Sequence, residues 1–244
     1  MTGSATTAVI VAAGAGSRLG GIGRLHSKAM VPLLDQPLIG WVIERVLHAG
    51  VGRLVVVAHR DDDALRAYLE LHPAEIAITF QDARRGMADA VARALPLLDD
   101  EPYLACACDS LFLPEDIGRV VALGRQHRDS AVIGVLEMGV AATASRSAVV
   151  RAGDQVVAIH EKPAPGTARS GLVGMPLYWL PRRLDPYLQQ APASGPERQV
   201  ADALGDYLAA GGDVFASEVL ERLEITRPED IATVAGILGA DRFG

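Results

Sequence analysis

The sequence has few cysteines, few aromatic residues and no long apolar run. Cys106 and Cys108 are its only cysteines among 244 residues. No second ligand pair stands at zinc-like spacing, so neither a disulfide scaffold nor a zinc site is predicted. Hydrophobic residues make up 50% of the chain, yet no run reaches the roughly 20 consecutive apolar residues that a membrane-spanning helix needs. We therefore expect a soluble protein.

An excess of positive charge is also missing. The formal net charge is −7, which argues against nucleic acid or an anionic membrane as the main partner. Residues 1–7 carry no positive charge and run directly into an apolar segment, so we expect no secretory signal and a cytoplasmic location. No assembly repeat follows in the sequence, and we expect a monomer or a small homo-oligomer.

A glycine-rich loop follows the first predicted strand. The apolar run ends at Gly14, and Gly16, Arg18 and Lys28 follow it. The backbone N–H groups of such a loop can point into one concavity, and the two cations suit a polyphosphate. The dinucleotide-binding fingerprint is excluded because Leu19 stands where its third glycine should be, and no Gly-Lys-Ser/Thr follows as a P-loop requires.

This loop resembles the signature of the nucleotidylyltransferase family, nucleoside-diphosphate-sugar synthase type, which includes sugar-1-phosphate thymidylyl- and uridylyltransferases. The signature is a strand, a Gly-x-Gly-Ser/Thr-Arg-Leu loop and a Lys-x-x-x-Pro-Leu segment. The matching residues are Gly14, Gly16, Ser17, Arg18, Leu19, Lys28, Pro32 and Leu33. The resemblance implies transfer of a nucleoside monophosphate from a nucleoside triphosphate to a sugar 1-phosphate, with Mg²⁺ as cofactor. It further implies that Arg18 and Lys28 are catalytic and that Ala13, Gly14, Gly16 and Ser17 bind the nucleotide.

The order of predicted elements indicates an α/β fold. Strands and helices alternate for more than half of the chain, which favours a Rossmann-like, mostly parallel sheet flanked by helices, the nucleotide-diphospho-sugar transferase fold of the resembling family. A predicted hairpin over 147–160 breaks this alternation and indicates a small β-rich, sugar-binding portion. We expect one domain over 1–244, with a nucleotide-binding part (1–137) and an acceptor-binding part (138–244) that includes the closing strand and helix.

Two carboxylates are candidate metal ligands. Asp109 ends an apolar strand, and ligands of open α/β sheets lie outside the carboxyl ends of the strands. Magnesium binds one or two carboxylates together with substrate phosphates. The resemblance implies that Asp109 holds the metal. It also implies a second ligand at Glu224, in a closing segment where many relatives have aspartate.

The remaining candidate residues are expected to contact the base and the acceptor. Gln81 has an amide that can complement a base edge, and Gly86 would let the backbone approach the ring. Glu161 and Lys162 resemble the family's sugar-binding motif, in which the glutamate accepts hydrogen bonds from hydroxyls and the lysine holds the sugar phosphate. Gly171 lies in a segment resembling the strand that lines the sugar pocket.

Several alternatives stay open. The base is predicted as thymine or uracil over cytosine, adenine and guanine, while the sugar and the pathway are not predicted. A cytidylyltransferase acting on a phosphorylated alcohol such as phosphocholine is the alternative enzyme. A catalytically silent nucleotide-sugar-binding protein is the alternative outside enzymology.

Overall fold

The structure, a computed structural model, describes residues 5–14, 16, 19, 27–164, 166–192 and 197–241. Its strands are β1 (Thr7–Val11), β2 (Pro32–Leu33), β3 (Gln36–Pro37), β4 (Arg53–Ala58), β5 (Ile76–Phe80), β6 (Tyr103–Ala107), β7 (Ser110–Phe112), β8 (Ala131–Glu137), β9 (Ser147–Ala152), β10 (Gln155–Glu161), β11 (Leu172–Leu180), β12 (Val214–Glu218) and β13 (Arg222–Glu224). Its α-helices are α1 (Leu38–His48), α2 (Asp63–Glu70), α3 (Met87–Ala94), α4 (Pro114–Gln126), α5 (Asp185–Leu188), α6 (Val200–Ala209) and α7 (Pro228–Asp241). Short 3-10 helices cover Lys28–Met30, Leu95–Leu97, Val140–Ser145 and Arg182–Leu184.

Within these residues, one mixed sheet has the strand order β5-β4-β1-β6-β11-β8-β12-β10-β9. Strands β5, β4, β1 and β6 pair in parallel. Strand β11 enters between β6 and β8 and is antiparallel to both, and β10 is antiparallel to β12 and β9. The predicted α/β sheet flanked by helices is therefore confirmed, and β10 and β11 give it its mixed character.

The central strands are buried on both faces, which explains their nearly continuous apolar runs. In β1, Ala8 and Ile10 face one core while Val9 faces the other. Helices α1, α2, α4 and α7 cover the first face, and α3, α5 and α6 cover the second. This alternation is the two-residue period of a strand placed between two helical layers.

Parallel pairing brings the carboxyl ends of four strands to one edge of the sheet. Ala12 N donates to Val57 O at 2.8 Å, Cys108 N to Val11 O at 3.0 Å and Gln81 N to Ala58 O at 2.9 Å. The chain segments after β1, β4, β5 and β6 therefore leave the sheet side by side. Every nucleotide-end candidate from the sequence follows one of these strands.

The predicted acceptor-binding part is built differently. Strands β9 and β10 form the predicted hairpin, with a register shift between Val156 and Ala158. The small pair β7–β13, which the sequence did not predict, aligns Glu224 with Ser110. The division into parts 1–137 and 138–244 stays a prediction. None of the helices within the described residues is long and apolar enough to cross a membrane.

A buried carboxylate fixes the turn that leads into β13. Asp116, in the first turn of α4, is 0% exposed and accepts hydrogen bonds from Leu220 N at 3.1 and 3.0 Å and from Glu221 N at 3.4 Å. It also pairs with Arg119. These contacts tie the start of β13 to a helix about a hundred residues earlier in the chain.

We predict that Asp116→Ala lowers the free energy of unfolding by about 3 kcal/mol, because it leaves a guanidinium and backbone N–H groups without their buried acceptor. Asp63→Ala is the matched control, since Asp63 also lies in a first helical turn and pairs with an arginine three residues on, but its side chain is 80% exposed. Denaturant unfolding measures both. Equal effects of the two substitutions would contradict this account.

Candidate active site

A cleft of about 1280 Å³ opens at the carboxyl edge of the sheet. It contains most of the residues singled out in the sequence. The predicted site residues that line it are Ala13, Gly14, Lys28, Gln81, Gly86, Asp109, Glu161, Lys162 and Glu224. Residues from both halves of the chain thus face one space.

Lys28 and Asp109 form the polar centre of the cleft. The ammonium lies 2.6 Å from Asp109 Oδ2, and the Ser110 hydroxyl donates to Asp109 Oδ1 at 3.0 Å. Burial opposes ionisation of this carboxyl group, but Lys28, Arg222 and Ser110 outweigh it, and the pKa of Asp109 is lowered from its ordinary value. Asp109 is therefore a carboxylate at neutral pH, held beside a cation.

The glycine loop is only partly described. Gly14 lines the cleft, and Gly16 has a φ of +61° and lies beside Lys28, where an added Cβ would be 3.4 Å from the Lys28 backbone nitrogen. Ser17 and Arg18 lie outside the described residues, so their predicted roles stay predictions. Arg84, which the sequence analysis did not select, donates to Ala13 O at 3.4 Å and also lines the cleft.

Gln81 is 4% exposed and its amide orientation is fixed. Its Nε2 donates to Gly86 O at 3.0 Å and to Asp89 Oδ2 at 2.8 Å. Both partners can only accept, so the amide nitrogen must face them and the oxygen must face away. That oxygen has no hydrogen-bond partner among the residues that the structure describes. Gln81 thus offers the cleft an acceptor.

Gly86 has a structural reason to be glycine. Its φ is +95°, and an added Cβ would be 2.6 Å from Arg198 N and would overlap the Arg198 carbonyl group. The backbone of Arg198 donates to Arg85 O at 2.8 Å and accepts from Ala88 N at 3.1 Å, which brings Gln199 into the cleft. Close backbone packing therefore requires this glycine whether or not a base also lies near it.

The hairpin β9–β10 carries the predicted acceptor-binding residues Glu161 and Lys162 on one side of the cleft. The Ser147 hydroxyl donates to Glu161, and Lys162 Nζ lies 3.6 Å from Glu161 Oε1. Lys162 has a φ of +43°, and its N–H donates to Arg146 O at 3.1 Å. A non-glycine residue in the left-handed region is strained, and such residues cluster at functional sites. Gly171 is not among the cleft residues; it lies against Glu137 and Gly139.

Glu224 lies between two arginines. Arg146 Nη2 is 2.8 Å from Glu224 Oε2, and Arg222 Nη2 is 3.0 Å from Glu224 Oε1. Both carboxylate oxygens therefore already have a cation. The role of second metal ligand stays a prediction, and it would require at least one of these ion pairs to open.

Sequence reasoning missed several cleft residues. Arg146 precedes a strand in a Ser-Arg-Ser segment, and Arg222 stands two residues before Glu224 in the predicted closing segment. No local pattern marks either one, because β7–β13 pairing and the β9–β10 hairpin bring them together. The other missed residues include Arg84, Ser147, Tyr178, Glu197 and Gln199.

The carboxylates of the cleft would fit a metal ion whose other ligands come mainly from the phosphates of a bound substrate. No group of three or more His, Cys, Asp or Glu side chains that could hold a metal occurs in the described part of the chain. Asp109 would supply a hard carboxylate oxygen to a divalent metal ion that keeps waters and substrate phosphates as its other ligands, provided that its contact with Lys28 or Ser110 opens.

Comparison with known proteins identifies the family of this chain. Residues 8–210 match the MobA-like NTP transferase domain, which is most of the chain. The chain belongs to the MobA-like NTP transferase domain family. Nucleotidyl transfer is the reaction class of this family, and its enzymes generally use a divalent metal. The matched region includes Lys28, Asp109 and Lys162, whereas Arg222 and Glu224 lie beyond it.

The proteins to which this chain is similar differ in base and acceptor by name. The UTP–glucose-1-phosphate uridylyltransferase of Streptococcus pneumoniae serotype 4 is 28% identical over 254 residues, covering 89% of this chain and 84% of that protein. The crystal structure of apo UDP-glucose pyrophosphorylase has a TM-score of 0.87 at 19% identity, covering 98% of this chain and 99% of that one. The structure of the inositol-1-phosphate CTP transferase of T. maritima has a TM-score of 0.82 at 18% identity, covering 98% of this chain and 97% of that one. The predicted fold and family are confirmed.

We predict that Gly86→Ala lowers the free energy of unfolding by about 3 kcal/mol or more, because the new Cβ overlaps the Arg198 backbone and φ is positive. Gly118→Ala is the control, since an added Cβ on this α4 residue meets nothing within 4 Å. It should leave stability unchanged or raise it by up to about 1 kcal/mol. Equal free energies of unfolding for the two variants would contradict the close packing of Gly86 against the Arg198 backbone.

We also predict that Lys28→Met raises the pKa of Asp109. The charged carboxylate stabilises the wild-type fold above its ordinary pKa of 3.8, and this contribution is lost as the pH falls through the lower pKa of the folded state. Removing the Lys28 cation should therefore reduce the pH-dependent stabilisation that the Asp109 carboxylate gives the fold. NMR titration of the aspartate carboxyl carbons measures the shift directly. Lys162→Met is the control and should leave Asp109 unchanged; an unshifted Asp109 in Lys28→Met would contradict the prediction.

Proposed function

We propose that the protein transfers a nucleoside monophosphate from a nucleoside triphosphate to a sugar 1-phosphate. The observation that carries the proposal is the single cleft in which the Lys28–Asp109 pair and the Glu161–Lys162 pair face one space. An oxygen of the acceptor phosphate forms a bond to the α-phosphorus. The bond from that phosphorus to the bridging oxygen breaks, and its electron pair leaves with pyrophosphate.

The nucleophile is already an anion, so the protein's task is alignment and neutralisation of charge. Lys28 binds the reacting phosphates beside Asp109, and the glycine loop, with Arg18, holds the departing pyrophosphate. Asp109 would hold Mg²⁺, which supplies charge neutralisation on the phosphate oxygens when bound. Lys162 binds the acceptor phosphate, and Glu161 accepts hydrogen bonds from acceptor hydroxyls.

Gln81 offers an acceptor that fits uracil or thymine, as it fits any base edge with an N–H donor. Its amide nitrogen is held by Gly86 and Asp89, so only its oxygen can meet a base edge. An acceptor complements the N3–H donor of these two bases. The uridylyltransferase from Streptococcus pneumoniae, similar over most of the chain, supports UTP as the first triphosphate to try.

We predict magnesium-dependent pyrophosphate release with UTP or dTTP and a sugar 1-phosphate, with glucose 1-phosphate as the first acceptor. The panel should also contain CTP, ATP, GTP, inositol 1-phosphate and phosphocholine. Lys28→Met and Asp109→Asn should each lower turnover by at least about 100-fold, as removal of one transition-state contact typically does. Arg66→Gln, which breaks an exposed ion pair on α2, is the control and should retain wild-type turnover.

The chain offers a second readout that needs no turnover. Lys28 and Lys162 are its only two lysines, and both line the cleft. An amine-directed label, located by peptide mass spectrometry, should be blocked at Lys28 by UTP with Mg²⁺ and at both lysines by UDP-glucose. Protection without pyrophosphate release would favour the silent binding protein. Neither protection nor release with any member of the panel would overturn the proposed function.

A further inference from the structure

Two arginines beyond the predicted site share one carboxylate in the cleft. The arginine pair, Arg146 and Arg222, contacts the two oxygens of Glu224 at 2.8 and 3.0 Å. Two guanidinium groups and one carboxylate leave a net positive charge. Glu224 therefore holds one Nη2 atom of each guanidinium group in place.

Arg222, one member of the arginine pair, is connected to the Lys28–Asp109 pair. Arg222 Nε donates to Ser110 Oγ at 2.9 Å, and that hydroxyl donates to Asp109 Oδ1 at 3.0 Å. The Arg222 side chain is 8% exposed. A cation so poorly hydrated interacts more strongly with an anion than one in open water does.

Arg146, the other member of the arginine pair, is connected to the Glu161–Lys162 pair. Arg146 is the residue before β9, and its carbonyl oxygen accepts the Lys162 N–H at 3.1 Å. Its neighbour Ser147 donates to Glu161. The arginine pair is therefore connected to the Lys28–Asp109 pair through Ser110 and to the Glu161–Lys162 pair through the Arg146 backbone and Ser147. All of these pairs line the same cleft, in which an acceptor phosphate attacking the α-phosphorus would lie.

Unused donors remain on both guanidinium groups. Arg146 bonds only through Nη2, and Arg222 only through Nε and Nη2, within the part of the chain that the structure describes. Each guanidinium carries five N–H donors, so both retain donors that can meet phosphate oxygens. Both residues line the cleft.

We propose that Arg146 and Arg222 bind the attacking phosphate of the acceptor, and that Glu224 is a positioning residue that holds them. The proposal rests on the function proposed above and assigns Glu224 to the arginines instead of to a metal. No proton moves in this contact. The pair aligns the phosphate oxygen that forms the new bond and screens its charge from the triphosphate.

The test separates acceptor binding from metal binding. Arg146→Gln should raise the KM for glucose 1-phosphate by about 10- to 100-fold at saturating UTP, as loss of a charge-assisted hydrogen bond does. Glu224→Gln should raise the same KM by about 10-fold, since one guanidinium loses its acceptor. The Mg²⁺ concentration for half-maximal rate and the KM for UTP should stay within about twofold of wild type in both variants.

The hairpin provides a matched control. Arg151 pairs with Glu218 away from the cleft, and Arg151→Gln and Glu218→Gln should leave all three constants unchanged. Glu224→Asp, which keeps the charge, should recover part of the acceptor KM. Calorimetric titration of wild type and Arg146→Gln with glucose 1-phosphate in the presence of UMP gives a readout without turnover, and binding should weaken in the variant.

Two results would overturn the inference while wild-type turnover stands. One is an unchanged acceptor KM in Arg146→Gln. The other is a rise of ten-fold or more in the Mg²⁺ requirement of Glu224→Gln with an unchanged acceptor KM, which would make Glu224 a metal ligand. Absence of wild-type turnover with the whole substrate panel would instead contradict the proposed function itself.

Discussion

The parallel pairing of β1 with β4 and β6 is the constraint on which the site depends. Parallel strands send their carboxyl ends to one edge, so the glycine loop, Gln81 and Asp109 leave the sheet together. Lys28 reaches Asp109 across this edge, and the resulting ion pair lies in the cleft where we propose that the triphosphate binds. A strand running the other way at either position would move one of these groups to the opposite side of the molecule.

Antiparallel insertions complete the other half of the cleft. Strand β11 separates β6 from β8 and thereby widens the sheet, and the hairpin β9–β10 at its far edge places Glu161 and Lys162 on the cleft that Asp109 also lines. The β7–β13 pair then brings Glu224 and Arg222 from near the end of the chain to the same centre. Buried Asp116 holds the turn before β13, so stability and site geometry share this contact.

The cleft uses its two kinds of cation in different ways. Both lysines of the chain stand in it, and a lysine brings a compact charge with rotatable donors that can follow phosphates through a displacement. The arginines are planar and held by acceptors, Arg222 by Ser110 and Arg146 with Arg222 by Glu224. Each lysine thus pairs with one neighbouring carboxylate, Lys28 with Asp109 and Lys162 with Glu161, whereas the two arginines share the single carboxylate of Glu224.

The sequence by itself determined the fold class, the order of the main strands and helices, and the local motifs around Lys28, Asp109 and Lys162. These follow from periodicity and from residues close together in the chain. Only the tertiary structure decided that Gly86 is required by the Arg198 backbone, that Gly171 lies outside the cleft and that Glu224 contacts two arginines. The contacts of Gly86 with Arg198, of Gly171 with Glu137 and of Glu224 with Arg146 join segments tens of residues apart, and no local pattern encodes such a pairing because its geometry exists only once the sheet has formed.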